Sequence, residues 1–207
     1  MKRITKLEKK YLLQSLNNEF RTSKLGIFNK KLNLEFAKQI KSKFALSVSS
    51  GTAGIHVALK ALGIDKKEFE VIIPSITMSA TAMAVINAGA TPIFADIDKK
   101  TLNISAESIK KKISKQTKAI ITVSLYGLAP DYKKIKKILN KKKIYLIEDN
   151  AECFLGKINN KIVGNFGDFS VFSFQSSKHL TCGEGGMITT NKKKLFDSAS
   201  KVANLGY

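Results

Sequence analysis

The stretch that decides the fold is residues 168–186, DFSVFSFQSSKHLTCGEGG. Its apolar, aromatic run at 169–174 predicts a buried strand, and this run ends at a polar turn that carries Lys178. A glycine-rich loop follows at 183–186, and residues 187–190 predict a second strand. Lysine normally stays at the solvated rim of a protein, so a lysine on a tight turn between two buried strands is unusual.

Two interpretations of Lys178 are open at this point. A lysine amine that is partly withdrawn from water gives up its proton more readily, and it can then act as a nucleophile. A Schiff-base lysine requires this property. The alternative is a surface lysine in a chain that is rich in lysine.

Composition narrows the class of protein. The chain has 207 residues, of which 43% are hydrophobic, enough for one sizeable core with room for a small appendage. Its apolar runs are too short to span a membrane, and no apolar segment follows the basic N-terminus as in a signal peptide. Cys153 and Cys182 form neither a metal-ligand spacing nor a disulfide framework, and we interpret both as packing residues. We therefore expect a cytoplasmic protein without a metal and without a membrane partner.

The net charge of +20 raises the question of nucleic acid. Arg3 and Arg21 are the only arginines, and all other basic residues of the chain are lysines spread along much of its length. Proteins that recognise phosphates and bases usually use the bidentate fork of arginine. We therefore interpret the lysines as a compositional bias on solvated faces, and we expect no nucleic-acid partner.

Strands alternate with helices from residue 44 to about residue 150, a pattern that predicts a mostly parallel sheet with helices on both faces. Two helices precede this region and one follows it. Strands are predicted at 44–48, 71–74, 92–95, 119–123, 144–147, 169–174 and 187–190, and helices at 5–20, 34–42, 51–63, 77–88, 105–114, 131–140 and from about 193.

A phosphate-binding arrangement follows the first of these strands. Residues 49–54, SSGTAG, lead into the next helix. The N–H groups at a helix N-terminus lack intrahelical partners and carry a positive partial charge, and small residues let a phosphate approach them. The alternative is a turn whose glycine and serine serve steric needs alone.

Three candidate residues meet at one edge of the predicted sheet. Thr52, Asp149 and Lys178 all fall at or just beyond strand ends, and ligands of such sheets gather at the carboxyl ends of the strands. This combination suits pyridoxal phosphate. The lysine would bond the cofactor, the carboxylate would keep its pyridine nitrogen protonated, and the helix N-terminus would take the phosphate.

The chain also resembles a known family, the DegT/StrS-type sugar aminotransferases, which are fold type I pyridoxal-phosphate enzymes. The resemblance implies an α/β three-layer sandwich with a mostly parallel seven-stranded sheet. Its motifs occur in the order and spacing of the family and cover nearly the whole chain. They are SSGTAG (49–54), PSIT (74–77), GATPIFAD (89–96), LYG (125–127), EDNAE (148–152), FSF (172–174) with Lys178, GEGG (183–186) and NLGY (204–207).

The resemblance implies roles for individual residues. Lys178 would be the Schiff-base lysine and the proton shuttle, and Asp149 would pair with the pyridine nitrogen. Ser173 would contact the phosphate together with the backbone of Thr52 and Ala53. A lysine at position 178 distinguishes the chain from the dehydratase branch of the family, in which a histidine takes its place.

Some positions depart from the family pattern. Glu152 would lie near the ring hydroxyl, where many members have Gln; Glu favours the members that make 4-amino sugars such as perosamine, and the alternative is a solvated carboxylate. Met78 occupies the position of a stacked aromatic ring, and methionine can pack on a ring through its sulfur. Asn150 replaces a small residue. We interpret His179 as an ordinary turn residue and His56 as structural.

Family members are nearly twice as long as this chain. We expect residues 1–43 to form an N-terminal helical segment and residues 44–207 to form the cofactor-binding large domain, with the C-terminal small domain absent. The full enzyme would move an amino group from an amino-acid donor, expected to be glutamate, to a nucleotide-linked keto-sugar.

That sugar would serve cell-surface polysaccharide, such as lipopolysaccharide and O-antigen, or a secondary metabolite. The full-length enzyme would be a homodimer. The rival hypothesis is a non-catalytic one, in which the chain is a truncated remnant or a basic binding module that keeps the fold without turnover.

Overall fold

The computed structural model describes residues 5–17 and 26–204. Helices and strands alternate through most of this part, with a short 3-10 turn at Leu125–Gly127. The helices are α1 (Lys6–Asn17), α2 (Ile27–Ile40), α3 (Gly51–Ala61), α4 (Ser79–Ala88), α5 (Ala106–Lys112), α6 (Tyr132–Leu139) and α7 (Lys193–Ala203). The strands are β1 (Phe44–Val48), β2 (Glu70–Pro74), β3 (Thr91–Ala95), β4 (Thr117–Val123), β5 (Tyr145–Asp149), β6 (Lys157–Ile158), β7 (Lys161–Ile162), β8 (Phe169–Ser173) and β9 (Gly186–Thr190).

A seven-stranded sheet in the order β1-β9-β8-β5-β4-β2-β3 forms the centre of the molecule. The strands from β8 to β3 in that order are mutually parallel, and β9 runs antiparallel to both of its neighbours. All seven predicted strands are present, so the prediction of a mostly parallel seven-stranded sheet is confirmed. The parallel strands bring their carboxyl ends to one edge, where β9 begins.

Helices cover both faces of the sheet, which confirms the three-layer arrangement. On one face α3, α4 and α7 pack on the sheet through a core that contains Leu59, Val85 and Ala199. On the other face α5 and α6 contribute Ile109 and Ile135 to a second core. Alternate residues of each buried strand face these two layers, because successive side chains of a strand point to opposite faces.

The N-terminal helices differ from their prediction. Helix α2 begins at Ile27 rather than at residue 34. Ile27 and Leu32 in its first turns are exposed, so the apolar residues of this part do not follow the period of a buried helix face. Its buried residues Phe36 and Ile40 pack against Phe172 of the sheet. None of the side chains of α1 is buried, and the end of its predicted range, 18–20, lies outside the described residues. The division into segments 1–43 and 44–207 stays a prediction.

In the sequence, β5 and β8 are separated by a small hairpin of β6 and β7, where no strand was predicted. Each strand has two residues, too few for an apolar period to appear. The turn has Asn159 and Asn160 at positive φ of 47° and 63°. Asn tolerates this left-handed backbone, and paired turn residues of this kind are a hairpin signal that the sequence did contain.

The described helices, those within 5–17 and 26–204, are too short or too polar to cross a bilayer. In the same ranges no three His, Cys, Asp or Glu side chains come together as the ligands of a metal ion would.

Candidate active site

A cavity of about 330 Å³ lies at the edge of the sheet where the parallel strands end. It is lined from β5 and its following loop, from the end of β8 and its turn, and from the starts of α3 and α4. Of the seven predicted site residues, six line this cavity and Ala53 does not. The six are Thr52, Met78, Asp149, Glu152, Ser173 and Lys178.

Asp149 is a buried carboxylate that has no ion-pair partner among the residues that the structure describes. It is 6% exposed, and it accepts a hydrogen bond at 2.9 Å from the Thr81 hydroxyl and one at 3.2 Å from the Ala151 N–H. Within the described ranges it forms no ion pair. Burial raises the pKa of Asp149, and its two hydrogen bonds and the charge of Lys178 oppose that rise. A cation placed against this carboxylate would offset its loss of hydration.

Lys178 lies on the turn after β8, as predicted, and its side chain is 18% exposed. Its N–H donates to the Gln175 carbonyl at 2.9 Å, which closes the turn. Its ammonium Nζ lies 3.4 Å from Oε1 of Glu152. The amine therefore points into the cavity region with one carboxylate beside it, rather than into bulk water like the lysines of the solvated faces.

Glu152 bridges two parts of the site. Its Oε1 faces Lys178, and its Oε2 accepts the N–H of Tyr126 at 3.0 Å. Because its side chain is 22% exposed and is held at both oxygens, it is not a solvated strand-end carboxylate. Tyr126 has a φ of 52° and is 81% exposed, so the turn holds its ring outward beside the cavity.

The start of α3 forms the opposite wall. Ser50 caps this helix, since its Oγ accepts the N–H of Ala53 at 3.0 Å. The N–H of Ala53 is therefore occupied, and the N–H groups of Gly51 and Thr52 are those without an acceptor inside the helix. Lys178 is the only Lys or Arg among the described residues lining the cavity, so an anion there depends on these N–H groups and the helix dipole.

Two glycines let the backbone close around this wall. A Cβ on Gly51 would lie 3.1 Å from Cβ of Ser173, and a Cβ on Gly186 would lie 2.6 Å from the carbonyl carbon of Ser50. The backbone contact at Gly186 requires glycine, and the contact at Gly51 leaves little room for a side chain. The end of β8 thus packs closely against the start of α3.

Met78 precedes α4 and is 61% exposed at the cavity. The helix predicted at 77–88 begins at Ser79, because Met78 keeps an extended backbone as the N-cap residue. Whether its sulfur packs on a ring stays a prediction.

The remaining candidates lie apart from the chemistry. His179 is exposed and does not line the cavity, and His56 is half-buried on α3, where burial lowers its pKa. Cys153 is buried as expected, whereas Cys182 is exposed, so the interpretation of Cys182 as a packing residue is wrong. The glycine-rich loop that follows Cys182 leaves its side chain at the surface.

Sequence reasoning missed the two residues that support Asp149 and Glu152 most directly. Thr81 donates to Asp149 from α4, and Tyr126 donates its N–H to Glu152. Thr77 and Thr81 are four residues apart; Thr77 lies just before α4 and Thr81 lies in its first turn, and their hydroxyls lie 2.9 Å apart. That spacing was a usable signal, whereas the contact of Tyr126 depends on a turn conformation that the sequence does not display.

Together these residues fit a ligand with a cationic ring atom at one end and a phosphate at the other. Asp149 suits the cation, the start of α3 suits the phosphate, and Lys178 offers an amine between them. Pyridoxal phosphate has these features.

A family model described as the DegT/DnrJ/EryC1/StrS aminotransferase family matches residues 2–207. The GDP-perosamine synthase of Escherichia coli O157:H7 is 43% identical over 194 residues, which are 94% of this chain and 53% of that protein. The chain spans about half the length of the curated relatives it matches first.

Solved structures of similar proteins have the same fold. An aminotransferase from Psychrobacter cryohalolentis is similar with a TM-score of 0.90 and 34% identity, over 95% of this chain and 50% of that one. The E. coli GDP-4-keto-6-deoxy-D-mannose-3-dehydratase, solved with bound hydrated PLP, is similar with a TM-score of 0.86 and 35% identity, over 95% and 51% of the two chains.

Proposed function

The chain belongs to the DegT/DnrJ/EryC1/StrS aminotransferase family, and from that membership we propose that it binds pyridoxal phosphate in the cavity at the sheet edge and serves amino transfer to a nucleotide-linked keto-sugar. One observation carries the proposal. A partly buried lysine amine and a buried carboxylate without a cation line one cavity whose other wall is an open helix N-terminus.

Lys178 and Asp149 are the proposed catalytic residues. When bound, pyridoxal phosphate supplies an electron sink for a carbanion on the substrate. The amine of Lys178 would attach the cofactor and would carry a proton to and from the reacting carbon. Asp149 would hold a proton on the ring nitrogen, because a cation would stabilise its buried carboxylate and a neutral nitrogen would not.

The phosphate would bind at the start of α3. The N–H of Thr52 and the hydroxyl of Ser173 are the proposed donors, since both residues line the cavity. The N–H of Gly51 lies beside them at the first position of the helix. Backbone binding by Ala53 requires that its N–H leave the hydroxyl of Ser50.

Glu152 and Met78 would contact the ring. Glu152 pairs with the ammonium of Lys178, so the proposed contact of Glu152 with the ring hydroxyl would replace part of that ion pair. Met78 would cover one face of the ring with its thioether.

The proposed substrate class is a GDP-linked keto-sugar, and the proposed donor is glutamate. The relative named GDP-perosamine synthase supports the sugar class, and Glu152 agrees with the preference for 4-amino sugars. Synthesis of a cell-surface polysaccharide such as O-antigen is the process that fits this product, and we propose a cytoplasmic location for it.

A second half and a second copy would complete the enzyme. The chain spans about half of its curated relatives, and exposed apolar side chains lie on or beside the cavity lining, among them Ile76 (43%), Met78 (61%) and Tyr126 (81%). Such residues favour a covering surface. We therefore propose that turnover needs a small domain and a homodimer partner, and that residues 1–207 alone bind the cofactor weakly.

Reductive trapping tests the proposal. The chain is mixed with pyridoxal phosphate at saturating concentration, reduced with borohydride and digested, and the cofactor mass is located by mass spectrometry. We expect it on the peptide that contains Lys178, and we expect Lys178→Ala to abolish it there.

Lys161→Ala is the matched control, since Lys161 is an exposed lysine of β7. Two outcomes would favour the rival hypothesis of a fold retained without turnover. One is cofactor label spread over surface lysines in both variants. The other is a Lys178→Ala variant that keeps the visible cofactor absorbance of the parent chain.

A further inference from the structure

Asn150, the residue after Asp149, lies in a buried polar cluster on the reverse side of the sheet edge. It is 2% exposed. Its Oδ1 accepts the hydroxyl of Ser124 at 2.7 Å, and its Nδ2 donates to the hydroxyl of Ser170 at 2.7 Å. Both serines are buried as well, at 0% and 1% exposure. An asparagine in such a place is held in one orientation by its partners, because turning its amide would break two buried hydrogen bonds.

The cluster joins three strands at the point where their backbone pairing ends. Ser124 follows β4, Asn150 follows β5, and Ser170 lies in β8. The last backbone bonds run from the Ser124 N–H to the Asp149 carbonyl at 2.9 Å and from the Asn150 N–H to the Val171 carbonyl at 2.8 Å. The side chain of Asn150 therefore continues the cross-links of the sheet one step past its backbone ladder.

A rigid group backs this cluster. Nδ2 of Asn150 lies 3.5 Å from Oε2 of Glu148, which also accepts the Gly164 N–H at 2.8 Å. The other oxygen of Glu148 accepts the N–H groups of Phe166 and Gly167, each at 2.6 Å. Asn150 is thus tied to a carboxylate that the loop before β8 already fixes.

We propose that Asn150 is a positioning residue that fixes the direction of the Asp149 carboxylate. Successive side chains of a strand point to opposite sides of the sheet. The side chain of Asn150 therefore hydrogen-bonds on the side away from the cavity, while Asp149 faces the cavity. The peptide that links Asn150 to Ala151 carries the N–H that donates to Oδ1 of Asp149. Holding Asn150 therefore holds that donor, and the donor orients the carboxylate. This inference rests on the proposed cofactor site.

The test begins with the cofactor-free chain of 207 residues. The carboxyl 13C resonance of Asp149 is titrated against pH in the parent and in Asn150→Ala. Burial raises the pKa of Asp149 in the parent. We expect Asn150→Ala to raise the midpoint by about one pH unit, since a released turn withdraws the Ala151 N–H, the hydrogen bond that most opposes the effect of burial on Asp149. We also expect the Kd for pyridoxal phosphate to rise about tenfold, the effect of one hydrogen bond.

Asn191→Ala is the matched control, because Asn191 accepts the Lys43 N–H at 2.8 Å at the opposite edge of the sheet. It should leave the midpoint and the Kd unchanged. If Asn150→Ala does not fold, Ser124→Ala and Ser170→Ala each remove one partner of Asn150 with little change in volume, and each should shift the midpoint in the same direction.

An unchanged midpoint in Asn150→Ala, or in both serine variants, would overturn the positioning role. Because the titration needs no cofactor, it decides this role even if the trapping experiment shows that the chain does not bind pyridoxal phosphate.

Discussion

Two neighbouring carboxylates at the end of β5 point to opposite sides of the sheet and differ in the hydrogen-bond donors around them. Glu148 is fully buried, and the N–H groups of Gly164, Phe166 and Gly167 donate to its two oxygens. Asp149 is almost as buried and accepts one hydroxyl and one N–H. Burial raises the pKa of both groups. For Glu148, the strongest effects that lower the pKa again are the hydrogen bonds from its three backbone N–H donors.

The difference separates an acid whose oxygens are satisfied by the backbone of a loop from an acid that is open to a ligand. Burial alone would mark both residues as candidates. What distinguishes them is the number of donors and the surroundings, since Glu148 closes a loop and Asp149 opens onto a cavity that also holds an amine. A buried acid with few donors beside a cavity is the one that a cationic ligand can satisfy.

The sharpest way to break this comparison is Asp149→Asn. The amide keeps the shape of the side chain but removes the charge that would hold a protonated ring nitrogen. A hydrogen bond to a charged group is worth about 1.5–3 kcal/mol, so we expect the Kd for pyridoxal phosphate to rise on the order of 10- to 100-fold. Fluorescence titration measures it, and a Kd within twofold of the parent would contradict the assignment.

The reciprocal variant is Glu148→Gln. Its amide group must turn an N–H toward the backbone donors of the loop at 164–167, which leaves at least one buried donor unpaired. We expect the free energy of unfolding to fall by about 1–3 kcal/mol, measured by urea denaturation, with little change in cofactor affinity. Asp149→Asn is its matched control. A larger loss of affinity in Glu148→Gln than in Asp149→Asn would reverse the two roles.

A smaller effect should appear in the pH dependence of stability. The pKa of Asp149 is raised above its ordinary value of 3.8 in the folded chain, so the folded state holds this proton more tightly than the unfolded state. Its contribution to stability is therefore present at low pH and is lost as pH rises from about 3.8 through the raised pKa.

Asp149→Asn removes that dependence. The unfolding free energy of the parent minus that of the variant should fall with pH, by up to about 1.4 kcal/mol per pH unit, and level off above the raised pKa. Denaturation of both chains at a series of pH values without cofactor gives this difference. A difference that rises with pH would mean that the pKa is lowered instead.

The sequence predicted the sheet well because each of its strands has a marked apolar run with a clear end. It also placed Asp149 and Lys178 at the correct edge, since the carboxyl ends of parallel strands share that edge. It did not predict the start of α2, where exposed Ile27 and Leu32 obscure the period. Nor did it predict the hairpin of two-residue strands at 157–162.

The parts of the site that were missed depend on contacts between distant segments. Glu148 and Asp149 are neighbouring acids at the end of β5, and the N–H groups of the distant loop at 164–167 are what satisfy Glu148 alone. The family resemblance implies that the backbone of Ala53 contacts the phosphate, which stays a prediction, and the sequence does not show that the Ser50 hydroxyl accepts this N–H. The exposure of Cys182 follows from the path of a loop with no repeating pattern.

The pairing of β1 with β9 has a consequence for how the chain folds during synthesis. Strand β1 lies at the end of the sheet, where β9 is its one neighbour among the described strands. The bond from the Lys43 N–H to Asn191 spans 148 residues of sequence. At roughly 5–20 residues per second, the ribosome needs on the order of ten seconds to deliver β9 after β1 has emerged. The start of α3 packs against Gly186 of that late strand, so this wall of the cavity is completed only after the strand that carries Asp149 has been made.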